Sequence, residues 1–437
     1  MVDSKIDEND EFEEIIRTGF KKVDNVRRSV SEHCAGFERL QMFARNFFPK
    51  NDTAKIFHVA GTNGKGSVCA MLDSVYRNAG YHVGLYISPA LLDIRERIQL
   101  DRKYISKRDF CRLYHTVTDL GKSAGRDFSI FTCFTLIALL YFQEANADVI
   151  ILETGVGGRS DSTNIVDHPT ACIITSISFD HENVLGRTLP QIAYEKAGII
   201  KEGARTFIGS LPKEAEDVIL NTCHEKNVPM YRASHVANTN LVGDYQKINA
   251  SVVYTVASTL RDVLPISDSE IEYGLMHAFW PARNQQFKLK NGNVVIFDGG
   301  HNSEAADIQK KYVSETFNEN NSCLIFSSTK PEHAEHFLAN FYPYFSKILL
   351  CNLTSHPHKI EDDSFFENLV KKFPGKSQFL EMKKVIETLC SPTDKKFFVT
   401  GSLYLIGEVV RELINAGQMD KNCFDCPVPH TNKDKNK

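Results

Sequence analysis

The sequence has no marked excess of charge of either sign. Among its 437 residues, 51 lysines and arginines face 55 aspartates and glutamates, for a formal net charge of -4. A balance this even creates no overall field that would draw the chain onto nucleic acid or an anionic membrane. Long apolar runs are missing too: the longest uncharged one, residues 130–142, falls short of the roughly 20 residues that a membrane-spanning helix needs. We therefore expect no nucleic-acid partner and no membrane span, and residues 130–142 predict a buried helix.

A disulfide framework is also missing, because the eleven cysteines are odd in number and irregularly spaced. Cys423-Phe-Asp-Cys426 has no second pair nearby, which argues against a zinc site there. The first fourteen residues hold seven acids and one lysine, the opposite of an arginine-rich transit peptide. These features predict reduced thiols and a cytoplasmic protein.

Apolar runs that alternate with helix-length segments predict an α/β protein. Residues 56–60 and 83–87 are predicted strands, and the apolar residues between them follow the spacing of an amphipathic helix. Residues 148–153 and 171–177 are apolar on both faces, which is typical of interior parallel strands. The alternation restarts after Trp280, so we expect a second, smaller α/β domain.

These patterns divide the chain into five predicted parts. They are an acidic, partly disordered N-terminal extension over residues 1–35, a first domain over 36–280, a linker over 281–295, a second domain over 296–426, and a polar tail over 427–437.

A glycine-rich loop follows the first predicted strand and reads Gly61-Thr62-Asn63-Gly64-Lys65-Gly66-Ser67. Backbone N–H groups at the start of a helix bind phosphate oxygens, and a lysine adds a positive charge. The usual phosphate-loop pattern has glycine where Val59 stands and Ser or Thr where Gly66 stands, so the match is partial. The alternative is a simple glycine turn, but the flanking strand and helix favour a phosphate loop.

Acidic and glycine-rich residues follow the next two strands. Glu153 ends one strand ahead of a loop of glycine and polar residues, and Asp180-His181 comes shortly after the other. A carboxylate in such a place is suited to Mg²⁺, which prefers oxygen ligands and substrate phosphates. Each could instead have a structural role. Glu153 could be a turn or N-cap acid, and His181 could be a histidine whose hydrogen bonds are made within the fold. Their position beside a phosphate loop favours metal.

Lys196 lies fifteen residues after His181, in a segment expected to start a helix. A lysine in that setting is usually a solvated charge, and spacing alone gives no preference for Lys196 over Lys201.

Together these motifs resemble the folylpolyglutamate synthase and dihydrofolate synthase branch of the Mur ligases. The resemblance runs from the glycine loop to Gly401-Ser402-Leu403-Tyr404 and covers nearly the whole chain after about residue 35. It implies an N-terminal P-loop-type ATPase domain with a parallel sheet, a smaller C-terminal Rossmann-like domain, and amide ligation through an acyl phosphate.

The resemblance also implies roles for individual residues. ATP would be bound by Thr62, Asn63, Gly64, Lys65, Gly66, Ser67, Asn249, Arg283 and Asp298. Two Mg²⁺ ions would be held by Ser88, Glu153, His181 and Lys196, the last as a carbamate. Lys65, His181 and Lys196 would be the catalytic residues. The substrates would contact Ser129, Phe131, Ser160, Asp161, Ser162, His301 and Ser402.

The sequence departs from the family pattern at a few positions. Ala90 replaces the histidine of Ser-Pro-His-Leu, and Ala282 replaces the glycine of the Trp-Pro-Gly-Arg linker. Bacterial bifunctional members carry a carboxylate in the dihydropteroate site, where this chain has Thr132. This last departure leaves open which folate substrate is used.

The resemblance predicts an ATP-dependent ligase that adds L-glutamate to a folate, to dihydropteroate, or to both. It further implies a monomer, two Mg²⁺ ions and a monovalent cation. A peptidoglycan-precursor Mur ligase is a weaker alternative, because its loop typically lacks the inserted glycine. A GTPase-like switch would need a base-reading N/TKxD motif, which the sequence does not resemble, and a non-enzymatic scaffold would be expected to lose Lys65, Glu153 or His181.

Overall fold

The computed structural model describes residues 8–23, 54–123, 125, 127–354, 356–357, 359–393 and 395–426. The chain forms two compact units. The first unit comprises the described residues up to Asn240 together with Lys247–Ala278, and the second comprises Leu241–Gln246 and the described residues from Phe279 onward. The two α/β domains predicted from the sequence are therefore present, but the second unit begins a few residues before the predicted linker.

An eight-stranded sheet organises the first unit. Its strands are β1 (Lys55–Ala60), β2 (Val83–Tyr86), β3 (Ile98–Leu100), β4 (Lys103–Tyr104), β5 (Val149–Glu153), β6 (Ala171–Ile174), β7 (Arg205–Ile208) and β8 (Met230–Arg232). Its helices are α1 (Glu8–Val23), α2 (Lys65–Asn78), α3 (Lys107–Ser123), α4 (Ile130–Glu144), α5 (Glu182–Leu185), α6 (Leu189–Ala197), α7 (Lys213–Glu225), α8 (Asp244–Thr259) and α9 (Asp268–Met276).

The strands of this sheet follow the order β4-β3-β2-β5-β1-β6-β7-β8. All neighbours from β2 to β8 are parallel, whereas β3 and β4 form an antiparallel edge. The central strand β1 pairs with β5, where Val59 lies opposite Glu153, and with β6, where Ala60 lies opposite Ile174. The loops that follow these three strands therefore meet at one edge of the sheet, where ligands bind in open parallel sheets.

Helix α4 confirms the prediction from the apolar run. It begins at Ile130 after the N-cap Ser129, whose side chain accepts a hydrogen bond from the Thr132 amide, and most of its side chains are buried. Phe12 and Ile15 of α1 belong to the same apolar cluster. Residues 8–23 of the predicted N-terminal extension are therefore an ordered helix packed on the domain. No helix in the described part of the chain is long and apolar enough to cross a membrane.

A six-stranded sheet organises the second unit, in the order β13-β12-β11-β14-β10-β9. Its strands are β9 (Gln285–Lys288), β10 (Val294–Asp298), β11 (Ser322–Phe326), β12 (Lys347–Leu350), β13 (Ser377–Phe379) and β14 (Lys396–Thr400). Its helices are α10 (Ser303–Thr316), α11 (Pro331–Phe341), α12 (Ser364–Lys372), α13 (Met382–Cys390) and α14 (Leu403–Asn415). Only β9 runs antiparallel to its neighbour.

The segment predicted as a linker, residues 281–295, contains regular secondary structure. It contains β9, which pairs with β10 as an edge strand. Half-buried and exposed residues alternate in β9, but over only four residues this pattern cannot be distinguished from that of a loop. The polar tail predicted over residues 427–437 lies outside the described residues. The ten cysteines of the described part of the chain are free thiols, as expected.

Candidate active site at the carboxyl edge of the first sheet

The glycine loop joins β1 to α2, as the sequence predicts. Gly64 is the N-cap of α2 and has a φ of 84°, in the left-handed region that favours glycine. A Cβ at Gly64 would lie 2.6 Å from Asn249 Oδ1, and one at Gly61 would lie 1.9 Å from Thr175 Oγ1. Glycine is therefore required by both backbone conformation and close packing. The same contact places Asn249 of α8 against the loop, where the resemblance predicts a nucleotide-binding residue.

Residues that follow β6 hold the loop in place. The Asn63 amide donates to Ser176 Oγ at 2.9 Å, and the Thr62 amide donates to the Ser176 carbonyl at 2.9 Å. Thr175 Oγ1 donates to the Asn63 carbonyl at 2.6 Å. Sequence reasoning missed Thr175 and Ser176, although their position just beyond a buried strand was a usable signal. Such fixed hydrogen bonds keep the loop in one conformation before any ligand binds.

Lys65 begins α2, and its ammonium group lies over the glycine loop. Lys65 Nζ donates to the Gly61 carbonyl at 2.9 Å and to the Thr62 carbonyl at 3.2 Å. Gly66 and Ser67 are buried in the first turn of the same helix. A lysine and the amides at the start of a 14-residue helix together form a site suited to phosphate.

Glu153 and Ser88 lie together beside this loop. Glu153 ends β5 and is only 3% exposed, and its Oε2 accepts a hydrogen bond from the Ser88 amide at 3.0 Å. A Cβ on Gly155 would lie 4.0 Å from Ser88 Oγ, so the hydroxyl faces the start of the loop after Glu153. A buried carboxylate and a hydroxyl are oxygen donors of the kind that Mg²⁺ prefers. The residues therefore fit the predicted metal.

The electrostatics of a neighbouring thiol show that Lys65 and Glu153 act on the same region. Burial, reinforced by the charge of Glu153, raises the pKa of Cys69 well above its ordinary value, whereas the charge of Lys65 opposes that rise. Cys69 lies one turn into α2 and is completely buried. Lys65 and Glu153 therefore both act within a few residues of the start of α2.

His181 and Lys196 lie on the segments that follow β6. His181 has a φ of 53°, and its Nε2 lies 3.9 Å from Asp180 Oδ2, so the predicted Asp-His pair exists. Its side chain is 39% exposed. Among the described residues, no three His, Cys, Asp or Glu side chains are grouped so that they could hold a metal by themselves. Any ion here would need ligands from phosphate, hydroxyl, water or a modified lysine.

Lys196 is 3% exposed and lies in the last turn of α6, not at the start of a helix as the sequence suggested. The capping box of Thr188 and Gln191 shows that α6 begins earlier. The end of α6 is tied to the loop after Glu153, because the Arg159 amide donates to the Glu195 carbonyl at 2.7 Å. Lys201 is half-buried, and its Nζ lies 3.5 Å from the Asn164 carbonyl. Burial therefore distinguishes the two lysines that spacing could not.

Asp161 organises the loop that follows Glu153. Its Oδ2 accepts from the amides of Gly155 and Val156 at 2.9 and 3.1 Å, and its Oδ1 accepts from Thr163 Oγ1 at 2.6 Å. Thr163 Oγ1 also lies 2.7 Å from His58 Nε2 in β1. The chain His58–Thr163–Asp161 therefore connects the central strand to the loop. The predicted contacts of Ser160, Asp161 and Ser162 with substrate stay predictions.

Burial sets the charge of His58. Burial, with a smaller contribution from Lys201, lowers the pKa of His58 to about 3 from its ordinary 6.5. The unfolded chain therefore binds a proton below about pH 6.5 that the folded chain refuses, so stability is complete above that pH and falls on acidification. We expect the free energy of unfolding to lose up to about 1.4 kcal/mol per pH unit from this group below about pH 6.

Urea unfolding at several pH values tests this expectation. The variant His58→Gln keeps an N–H for Thr163 but does not titrate, so its unfolding free energy should depend less on pH. His82→Gln is the control, because the His82 side chain is 66% exposed. Equal slopes for His58→Gln and the wild type would contradict the assignment.

A row of hydroxyl groups lies at the start of α4, where the resemblance predicts substrate contacts. Ser129 Oγ lies 3.0 Å from Thr132 Oγ1, which lies 3.2 Å from Ser162 Oγ. The ring of Phe131 is 39% exposed, and the guanidinium of Arg97 lies 5.4 Å from its centre. Sequence reasoning missed Arg97.

Three predicted residues of the second unit, Asp298, His301 and Ser402, lie at the carboxyl ends of β10 and β14, whereas Arg283 precedes the edge strand β9. Asp298 ends β10 and accepts from the amides of Asn284 and Gly300 at 3.1 and 2.9 Å. Burial raises its pKa, and Arg283 opposes that rise. His301 follows in the same loop, and Ser402 is the N-cap of α14 after the neighbouring strand β14.

The alanine at position 282 adopts a backbone conformation that is unfavourable for any residue with a Cβ. Ala282 has a φ of 54°, in the region where glycine is favoured, and the family pattern has glycine there.

No protein-family model matches the sequence, but individual relatives match most of it. A dihydrofolate synthase/folylpolyglutamate synthase of Bacillus subtilis is 31% identical over 423 residues, which cover 85% of this chain and 93% of the relative. A solved folylpolyglutamate synthase from Thermotoga maritima has a TM-score of 0.76 at 28% identity, covering 94% of this chain and 98% of the other. The bifunctional folylpolyglutamate synthase/dihydrofolate synthase from Yersinia pestis, solved with AMPPNP and a Mn ion, has a TM-score of 0.72 at 25% identity, covering 86% of this chain and 93% of the other.

The similarity extends over most of the chain in sequence and in fold, and the glycine loop and Glu153 lie at the sheet edge where the motifs predicted them. This chain belongs to the dihydrofolate synthase/folylpolyglutamate synthase family.

Proposed function

We propose that this protein is an ATP-dependent ligase that joins L-glutamate to the carboxyl group of a folate-type substrate. The observation that carries the proposal is the pairing, at one sheet edge, of the Lys65 glycine loop with the buried Glu153 carboxylate. The first is suited to the phosphates of ATP and the second to a divalent ion. The relative from Yersinia pestis was solved with an ATP analogue and a Mn ion, which supports the same two ligands here.

The reaction would proceed in two steps. A substrate carboxylate attacks the γ-phosphorus of ATP, giving an acyl phosphate and ADP, and the amine of glutamate then attacks the acyl carbon and releases phosphate. Both reactants of the first step are anions, so charge must be neutralised before they can meet. Lys65 and the amides at the start of α2 would bind the phosphoryl oxygens and supply part of that neutralisation.

Orientation of the reactants would supply another part of the rate acceleration. The hydrogen bonds from Thr62, Asn63 and Thr175 fix the loop in the free protein, so little order must be gained when ATP binds. Well-oriented reactants can lower a barrier by about 7–11 kcal/mol. When bound, Mg²⁺ would neutralise charge on the phosphates as a Lewis acid. Ser88, Glu153, His181 and a carbamylated Lys196 are the residues we propose to hold two such ions.

The remaining predicted residues complete the proposal. Arg283 and Asp298 would contact ATP, whereas His301 and Ser402 would contact substrate, and a monovalent cation and a monomeric state also stay predictions. Dihydropteroate and a folate are both candidate acceptors, since the relatives from Bacillus subtilis and Yersinia pestis are named for both activities. The alternative is a protein with only one of the two activities, because Thr132 replaces the carboxylate expected in the dihydropteroate site.

Phosphate release tests this proposal. Purified protein is assayed with ATP and Mg²⁺ while dihydropteroate, tetrahydrofolate and glutamate are each added or left out. We expect fast release only when glutamate and at least one of the two acceptors are present. Phosphate release that is equally fast with and without the two acceptors would refute a folate ligase. Activity with only one acceptor would identify a monofunctional protein.

Carbamylation of Lys196 makes a separate prediction. The neutral amine adds to carbon dioxide and loses a proton, which turns a cation into an anionic oxygen donor. The burial of Lys196 favours the neutral amine that this reaction requires. We expect Lys196→Ala to lose roughly a hundredfold in turnover. Short carboxylic acids added to the assay should restore part of the activity by standing in for the carbamate.

Lys201→Ala is the matched control, because Lys201 lies five residues away and is half-buried. It should keep most of its activity. If the two variants were equally active, the carbamate would be rejected. Intact-mass measurement in bicarbonate provides a second readout of the modification itself.

A further inference from the structure

Arg97 is a buried cation that pairs with no acid in the part of the chain that the structure describes. The residue is 6% exposed, and its Nε is fully buried without a hydrogen-bond acceptor. Its side chain makes no hydrogen bond or ion pair with any residue that the structure describes. Arg102, which is also buried, instead binds Asp73 at 2.6 Å. A buried charge is normally paired, because losing its water without compensation is costly. The exception at Arg97 therefore requires an explanation.

Aromatic rings account for part of its environment. The guanidinium lies 5.4 Å from the ring centre of Phe131 and 5.5 Å from that of Phe134, both in α4. Cation–π contacts offset some of the lost hydration but leave the buried Nε–H without an acceptor. Phe134 is fully buried, whereas Phe131 is 39% exposed. Phe134 therefore covers the guanidinium on the side of the core, and a ligand could approach it from the side of the partly exposed Phe131.

The hydroxyl groups around Arg97 do not neutralise its charge. Burial raises the pKa of the Tyr86 phenol, the charge of Arg97 opposes that rise, and the carboxylates of Asp161 and Glu153 add smaller contributions to it. Neither carboxylate forms an ion pair with Arg97. Thr135 Oγ1 lies 3.3 Å from the Tyr86 hydroxyl. At the start of α4, Ser129 and Thr132 form the row of hydroxyls described above, together with Ser162 from the segment after Glu153. Phenol and alcohol groups can support a bound anion, but they supply no negative charge.

The loop that carries Arg97 is fixed before any ligand binds. The carboxylate of Glu96 accepts from the amides of Leu91, Leu92 and Asp93 at 2.6 to 2.8 Å. The Ile87 amide donates to the Arg97 carbonyl at 3.1 Å, so Arg97 is joined to the residue just before Ser88. Ser88 in turn binds Glu153. One rigid loop thus connects the proposed metal-binding residues to the unpaired arginine.

We propose that Arg97 binds the carboxylate of the acyl substrate, the group that receives the phosphoryl group, while Phe131 contacts the aromatic body of that substrate. The inference rests on the proposed function and adds the residue that selects for an anionic acceptor. A guanidinium has a planar fork of N–H groups that matches a carboxylate in a two-pronged hydrogen bond. The bound anion would supply the missing counter-charge. The rigid loop that carries Arg97 would hold that anion near Glu153.

Arg97→Met tests the inference, because methionine keeps an apolar side chain of similar length against Phe131 and Phe134. Calorimetric titration with dihydropteroate and tetrahydrofolate should show affinity reduced about 10- to 100-fold, with ADP affinity changed less than about twofold. The carboxamide counterpart of each substrate should bind the wild type and the variant equally weakly. Arg95→Met is the matched control, since Arg95 is paired with Asp93 two residues earlier.

Thermal unfolding without ligand separates binding from a structural role. Removing an unpaired buried charge should leave the melting temperature of Arg97→Met unchanged or raise it. Arg102→Met should lower it, because the fully buried Asp73 then loses its closer cation, at 2.6 Å, and keeps only the longer contact with Arg77 at 3.5 Å. An unfolding temperature that falls as far in Arg97→Met as in Arg102→Met would assign Arg97 to the fold and overturn the inference.

Two further outcomes distinguish this inference from the proposed function. If the wild type ligates a folate substrate and Arg97→Met binds that substrate as tightly, the inference alone is overturned. If the wild type neither binds nor ligates either substrate, the proposed function and this inference both fail. Loss of affinity for the carboxylate but not for its carboxamide, in a variant that is as stable as the wild type, establishes the role of Arg97.

Discussion

Replacing Lys65 with alanine should lower substrate-dependent phosphate release by about a thousandfold, on the scale seen when a donor to developing charge is removed. The ammonium lies over the loop carbonyls of Gly61 and Thr62, where the phosphates of ATP would replace those contacts. Without it, the nucleotide and the charge that develops during phosphoryl transfer would lose a cation that we propose stabilises both. The measurement is phosphate release at saturating ATP, glutamate and folate acceptor.

Circular dichroism and thermal unfolding must accompany this assay, because the contacts of Lys65 contribute to the free loop. The hydrogen bonds that join Asn63 to Ser176 and Thr175 remain in the variant, so we expect the fold to persist. Lys213→Ala is the control: Lys213 is an exposed residue that pairs with Asp217 on α7. Near-normal phosphate release by a folded Lys65→Ala protein would reject the assignment of the phosphate loop.

Glu153→Gln should lower turnover by a comparable factor, about a hundred- to a thousandfold, and raise the Mg²⁺ concentration needed for half-maximal rate. Glutamine is close to glutamate in shape and can still accept from the Ser88 amide, so the local structure should be kept. What is lost is the negative charge that a divalent ion requires. His181→Ala is tested alongside and should also raise the Mg²⁺ requirement.

Rate is measured against Mg²⁺ concentration for each variant. Glu182→Gln is the control, because Glu182 is an exposed acid next to His181. Unchanged Mg²⁺ dependence in both Glu153→Gln and His181→Ala would refute the metal role of this edge. A change in only one of the two variants would identify which residue holds an ion.

The sequence predicts the parts of this site that depend on neighbouring residues in the chain. The glycine loop was recognisable because a strand, a glycine turn, a lysine and an amphipathic helix follow one another. Glu153 was recognisable because a buried strand stops at an acid. Parallel pairing of β5, β1 and β6 then brings these segments together without further information.

Other features depend on contacts between distant segments and had no signal in the sequence. Arg97 looks like an ordinary arginine until α4 covers it with two phenylalanine rings. The link from His58 to Asp161 through Thr163 joins residues about a hundred positions apart. The burial of Lys196 arises where α6 packs against the loop after Glu153, and the sequence suggested the wrong end of a helix there.

Short edge strands form a third group. Strand β9 has four residues and pairs on one side only, so its half-exposed pattern resembles that of a loop. The sequence therefore assigned it to a linker. Edge strands have weak patterning because only part of their surface is buried, which is a general limit on prediction from sequence.

Mass spectrometry of the products from one labelled reaction tests the central claim most directly. The folate acceptor carries a heavy-oxygen label in its carboxylate and is incubated with the protein, ATP, Mg²⁺ and glutamate. We expect the acceptor to gain one glutamate in amide linkage and one labelled oxygen to appear in the released phosphate, because the carboxylate oxygen attacks phosphorus and leaves with it. Phosphate released without a glutamate-bearing product, or a product formed while the phosphate stays unlabelled, would contradict ligation through an acyl phosphate.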